Sequence, residues 1–545
     1  MALTSRLPLL TIGAALLSAG CASRSPAPAH APAHDEPFRP QLSFSPQRNW
    51  MNDPNGLVYL DGEYHLFYQH NPNQNTWGDM SWGHAVSTDL LHWTELPLAL
   101  PVEKDAGGKI TQMFFSGSAV VDHANTSGFG QPGKPAMVAI YTAVFPQART
   151  LNGKLVRAGT QAQSIAYSLD RGRTWTQYAG NPVIPAPPAQ YAAEYREFRD
   201  PKMFWYEPGH KWVLATVAAQ RHKALFYSSR DLIHWEWTGE FGPAGAAGGV
   251  WECPDLVELP VDGDPARRKW VLIISLNPGG PAGGSGMQYF VGDFDGKTFT
   301  RDRAAGTDAD APRWLDYGAD FYAGVTYNDA PGGRRLLVGW MNNWLYGEKV
   351  PTAPWRSAQA LPRELGLRTV NGHVTLVQQP VAEAQRLRSR LLFGTPAQTI
   401  ARGAQAVPLA GAARAPLELR MILKPGTATR AGVRLGKDAV TEIGYDAAQG
   451  VVYVDRTRSG ATGFHPQFAA RHTAPVALPE AGLPLRILVD RGSVTVFAGE
   501  GEAVLTDQVF PTTGVDGVSL FSVDGDAHVR DLNVWSLNSI WKEAQ

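Results

Sequence analysis

The sequence is short of several things. It has two cysteines in 545 residues, Cys21 and Cys253, so no disulfide framework is available and stability must come from packing. It has no excess of one charge. Its 49 basic and 50 acidic side chains nearly cancel and are spread along the chain without a basic block or stripe, which argues against a nucleic-acid partner. Its histidines occur singly, with no HExxH pair and no Cys/His cluster, so nothing supports a zinc site. Asp524-Gly525-Asp526 is turn chemistry rather than a twelve-residue calcium loop. The glycine-rich stretch Gly279–Gly286 is followed by no helix that could cradle a phosphate and reads as a loop between strands. No metal and no cofactor is expected. Helical periodicity is scarce beyond residue 41, where short strands alternate with turn residues.

At this length one ordinary core is not enough, and two or more domains are expected. Residues 1–20 read as a signal peptide: Arg6 supplies the positive region, and Leu7–Leu17 is an apolar stretch too short to span a bilayer. The stretch ends in Leu16-Leu17-Ser18-Ala19-Gly20-Cys21, similar to a bacterial lipobox, in which Cys21 would be lipidated. Ser18 stands where a larger aliphatic is usual, and the alternative is ordinary cleavage after Ala22. Residues 21–40, rich in Ala, Pro and Ser, read as a flexible tether. An exported protein is expected, with membrane contact only through an N-terminal lipid anchor.

What the chain does have is repetition. Asp53 and Asp200 each stand before a proline, a strand, a turn and a returning strand. Glu252 opens a similar phrase, Glu252-Cys253-Pro254-Asp255. If the hairpins are copies of one unit, the acids occupy equivalent places and converge. Two further hairpins begin near Ser116 and Asp320, which makes five units. A second phrase recurs around Asp89, Asp170 and Asp231, more weakly around Asp295, each time ending in an aromatic. Spacings of roughly fifty to eighty-five residues fit the blades of a propeller, whose radial repetition protects strand edges. The fold predicted is all-β: a five-bladed β-propeller over 41–378, a linker over 379–389 with a short helical piece, and a β-sandwich over 390–540. The starts of the innermost strands would bring Asp53, Asp200 and Glu252 to one mouth of the central channel.

The motifs Trp50-Met51-Asn52-Asp53-Pro54-Asn55-Gly56, Phe115-Ser116-Gly117-Ser118, Arg199-Asp200-Pro201 and Trp251-Glu252-Cys253-Pro254 resemble, in order, those of glycoside hydrolase family 32. That family holds invertases, levanases, inulinases and related β-fructosidases. The resemblance implies a retaining double displacement, with Asp53 as nucleophile and Glu252 as acid and then base. It needs carboxyls about 5–5.5 Å apart and a covalent fructosyl-enzyme between the steps. Like charge from the neighbouring acids would help the general acid keep its proton near neutrality. Asp200, beside Arg199, would stay ionised, hold fructose hydroxyls and support the oxocarbenium-like transition state. The same resemblance implies that Asn52, Gln69, Trp77, Phe115, Ser116, Arg199 and Trp344 bind substrate. On the residues alone, Gln69 reads as a satisfied polar group, Trp77 and Trp344 equally as packing, and Cys253 as a small buried neighbour of Glu252 rather than a catalytic thiol.

The segment Asn342-Asn343-Trp344-Leu345-Tyr346 resembles the exo-acting levanase and inulinase branch. The expected activity is therefore release of terminal fructose from levan or inulin, and hydrolysis of sucrose. Two other functions share these motifs: transfer of the fructosyl unit to a sugar hydroxyl, and non-catalytic presentation of fructan by a surface lipoprotein. Intact Asp53, Asp200 and Glu252 speak against the second.

Overall fold

The computed structural model describes residues 34–302, 311–411 and 415–541. The signal segment, Cys21 and most of the tether lie outside the described residues. The first blade runs outward through Asn49–Leu60, Glu63–Asn71, Ser81–Ser87 and Thr94–Leu100, each strand antiparallel to the last. Blades built the same way start at Ile110–Asp122, Phe198–Tyr206 and Val250–Val261, and a fifth starts at Tyr322–Thr326. The fourth and fifth are joined by a parallel bridge, Val261 to Leu367, into one nine-stranded sheet.

The inner strands settle the blade number. Each packs on the next, and the fifth packs on the first. Paired bonds across the seam, Tyr59 N–H to Asn328 O at 3.1 Å and Asn328 N–H to Leu57 O at 3.0 Å, close the ring. The fold is a five-bladed β-propeller followed by a β-sandwich.

The sandwich has two six-stranded antiparallel sheets. One is made of Arg388–Ile400, Ala527–Leu537, Leu417–Lys424, Leu483–Val489, Ser493–Ala498 and Ala503–Gln508. Their inward aliphatics form a separate core that includes Leu419, Ile487, Val496 and Val534. The predicted helical linker is a 3₁₀ piece, Ala382–Leu387.

One expectation needs correction. Residues 34–40, assigned to a flexible tether, are packed: His34 stacks on Trp541 at 3.8 Å, and the buried Arg39 pairs with Glu36 and lies over Trp355. Just beyond, both oxygens of the buried Asp490 carboxylate accept backbone N–H groups of Gln41 and Leu42, which pins the entering chain to the sandwich. Asp320, the acid opening the fifth unit, is buried in an ion pair with Arg456 of the sandwich at 2.6 Å and lies away from the carboxylate cluster.

Candidate active site

The acids converge for a different reason from the one the repeat suggested. All five inner strands slip register where the channel opens: between Met51 and Pro54, Phe115 and Gly117, Arg199 and Lys202, Glu252 and Asp255, and Tyr322 and Val325. A bulge adds a residue to one strand, so neighbouring side chains that would alternate can face the same way. In the third, fourth and fifth blades the residue just after the slip begins is left-handed: Asp200 (φ 64°), Cys253 (φ 46°) and Ala323 (φ 51°). Asp200 therefore corresponds to Cys253, and Glu252 to Arg199 and Tyr322. The acids are not copies of one position. They meet because the bulges turn consecutive residues, Arg199 with Asp200 and Glu252 with Cys253, toward one centre.

That centre is a cavity of about 320 Å³. Its lining includes Asn52, Asp53, Gln69, Trp77, Phe115, Ser116, Arg199, Asp200, Glu252 and Trp344, every site residue expected from the sequence except Cys21. Asp53 is held at both oxygens: Asn52 Nδ2 donates to Oδ1 at 3.1 Å and Ser116 Oγ to Oδ2 at 2.7 Å. Asp200 Oδ2 accepts the Cys253 backbone N–H at 3.0 Å. Glu252 accepts Arg199 Nη2 at 3.0 Å and Nε at 3.2 Å on one oxygen, and the Tyr322 hydroxyl on the other. Gln69 is both a lining residue and a satisfied one, donating to Phe114 O at 2.9 Å. Trp77, 41% exposed, meets Phe115 edge-on at the rim. Trp344 packs on Trp340 and Trp50, whose indole N–H donates to Asn52 Oδ1.

The electrostatics are those of a crowded anion site. Burial, reinforced by the Glu252 charge, raises the Asp53 pKa above the ordinary carboxylate value, against the hydrogen bonds from Ser116 and Asn52. Burial pushes Asp200 up to about 7, with Arg199 pulling down and Glu252 and Asp53 pushing up. Asp200 is thus not the securely ionised acid expected from its arginine neighbour: burial outweighs the pull of a guanidinium that also serves Glu252 and Glu197. Burial opposes the charge on Arg199, but Glu252, Asp200 and Glu197 outweigh it and raise its pKa. Burial and the carboxylates hold the Cys253 thiol well above its ordinary value. Its Sγ stands 3.4 Å from Asp53 Oδ2 and 3.7 Å from Asp200 Oδ2, as a protonated spacer between two acids.

Three residues of the site escaped the sequence reading. Gln161 and Glu197 line the cavity and both accept from Arg199 Nη1. Tyr322 opens the fifth blade, and burial followed by the Glu252 charge keeps its hydroxyl protonated and donating. Its position at the start of a repeat unit was the signal available for it. Among the described residues, no group of three or more His, Cys, Asp or Glu is arranged to hold a metal ion.

The family model described as the glycosyl hydrolases family 32 N-terminal domain matches residues 43–380, and that of the family's C-terminal region matches 386–536. The chain is similar to an extracellular exo-inulinase of Aspergillus ficuum, 47% identical over 94% of this chain and 97% of that protein. It is similar to a levanase of Bacillus subtilis, 46% identical over 93% of this chain and 72% of that protein. Among solved structures, the exo-inulinase of Aspergillus awamori superposes with a TM-score of 0.88 at 44% identity, covering 93% of this chain and all of that one.

Proposed function

The chain belongs to glycosyl hydrolase family 32, and from that premise we propose that it is an exported exo-β-fructosidase that releases terminal fructose from inulin or levan and also hydrolyses sucrose. The observation that carries the reading is the single blind cavity that collects Asp53, Asp200 and Glu252, with Arg199 as its one basic lining residue. The buried pair Lys202–Asp255, at 3.3 Å, lies two and three residues further along the same inner strands and closes the channel beneath. A closed pocket admits a chain end rather than a chain middle. Sucrose presents the same terminal fructosyl unit.

In the proposed reaction an Asp53 oxygen attacks the anomeric carbon as the bond to the leaving oxygen breaks, and Glu252 gives that oxygen its proton. The product is a fructosyl ester on Asp53. Glu252, now the base, takes a proton from water, whose oxygen attacks the same carbon and frees Asp53. Hydrogen bonds from Ser116 and Asn52 favour the ionised form that Asp53 needs for attack. Arg199 orients Glu252, and Asp200 is the acceptor for sugar hydroxyls. Trp77, Phe115 and Trp344 form the aromatic wall.

Time courses on inulin and levan test the reading. Free fructose is expected from the first minutes, and early oligosaccharides without it would refute the exo assignment. Asp53→Ala and Glu252→Ala are each expected to remove turnover by at least 10³-fold with unchanged melting cooperativity, and near-native hydrolysis by either would remove its role. The export signal, and the extracellular exo-inulinase to which the chain is similar, support export. Within it, Cys21 is the proposed lipid attachment point, and membrane retention of a Cys21→Ser variant would count against that.

A further inference from the structure

A second, larger cavity, of about 470 Å³, opens at the opposite mouth of the propeller channel. Its lining comes from the far ends of four inner strands, at Val121, Tyr206, Glu258 and Thr326, and from Asp329 just beyond the last of them. Val121, Tyr206 and Glu258 lie five or six residues beyond Ser116, Asp200 and Glu252, and at about 3.3 Å per residue they sit about 15 Å or more from the carboxylates. The Lys202–Asp255 pair separates the two cavities.

The walls combine aromatic faces with hydrogen-bonding groups of both signs. Trp205 is 37% exposed and braced edge-on by Trp212 at 5.1 Å. On the other face of the strand that carries Trp205, Trp270 packs with Phe204 and Tyr206 at 5.6 and 6.0 Å. Opposite are Asp329, 3.6 Å from His123, and Arg335. Tyr327, only 2% exposed, also lines this cavity. A ring with one apolar face and a rim of hydroxyls suits such a lining. A purely apolar ligand would take water from these charged groups and offer them no hydrogen bond in return.

We propose that this far mouth is a non-catalytic binding site for fructosyl units of a fructan chain. The proposal rests on the fructan-degrading function above. It gives the protein two grips on one polymer: a chain held at the far mouth raises the effective concentration of chain ends near the catalytic pocket without adding a contact there. Short substrates cannot reach both sites and gain nothing.

The test uses the full-length chain. In Asp53→Ala, calorimetric titration with a purified fructan oligosaccharide of about ten units should show two binding sites, and adding Trp205→Ala or Arg335→Ser should remove one. In the catalytically intact chain, Trp205→Ala and Arg335→Ser should leave sucrose kcat/KM within twofold while raising KM for polymeric fructan at least threefold at unchanged kcat. A single site in Asp53→Ala, equal binding of a malto-oligosaccharide of the same length, or unchanged KM on polymer in both variants would overturn the proposal. Failure of the catalytic reading looks different: hydrolysis of neither sucrose nor fructan, whatever the titration shows.

Discussion

Asp200 carries two costs at one residue. Its backbone is left-handed, which a non-glycine residue adopts only under constraint, and its carboxyl is buried beside two other acids. The sign of the pH effect follows from the direction of its shift. An unfolded aspartate loses its proton near 3.8, whereas the folded one keeps it up to about 7. Between those values the folded state binds more protons, so stability falls as pH rises, and the penalty is complete above about pH 7. Asp200→Asn keeps an acceptor for the Cys253 N–H and removes the charge. The variant is expected to melt a few degrees above the parent at pH 8 and close to it at pH 4, while turnover drops at least 10²-fold. Melting curves at the two pH values check this. Equal destabilisation at both would show that the ionised form, paired with Arg199, contributes net stability.

Legibility changes with the range of the interaction. The recurring turn phrase could be read because its bonds close within five residues. The Asp89 and Asp231 carboxylates each accept two backbone N–H groups and a histidine ring nitrogen, and Asp170 accepts Thr174. The next residue in each is left-handed: Leu90 (φ 67°), Arg171 (φ 56°), Leu232 (φ 63°), and Gly296 (φ 85°) in the fourth copy. A local motif with a local reason leaves a local trace. The bulges leave none, since which residue is extra depends on the partner strand, and so Glu252 passed for a copy of Asp200. The glycine stretch was also undervalued. A Cβ on Gly284 (φ 64°) would come 2.2 Å from Asn343 Oδ1, and Ser285 Oγ accepts the Trp344 N–H at 3.0 Å. That loop is what the Trp344 wall rests on, a contact across 59 residues that no spacing in the sequence records.

At the scale of the molecule the sandwich reaches the site through Arg456. This guanidinium is fully buried and donates to Asp320 Oδ2 at 2.6 Å, Tyr346 Oη at 2.9 Å and Phe468 O at 2.7 Å, with Asp507 at 3.5 Å. Asp320 and Tyr346 belong to the fifth blade, and Tyr346 follows Trp344 by two residues, so one side chain ties the second domain to the wall of the catalytic pocket. Replacing a buried ion pair by apolar groups can be neutral, but removing one partner strands the other charge, at about 3–5 kcal/mol. Arg456→Met would leave Asp320 buried without its cation and the Tyr346 oxygen without its guanidinium donor. It is expected to lower the melting temperature by several degrees and, by loosening Trp344, to raise KM on every substrate more than it lowers kcat. Arg456→Met with Asp320→Asn removes the stranded charge, keeps one carbonyl oxygen for the Gln508 N–H, and turns an amide N–H toward the Tyr346 oxygen in place of the lost guanidinium donor. It should therefore recover part of the melting temperature but not KM, since the link from sandwich to Tyr346 stays cut. Full recovery of both would mean that Trp344 is held by the propeller alone, through Ser285 and Trp340, and that the sandwich serves the enzyme only as covering for its fifth blade.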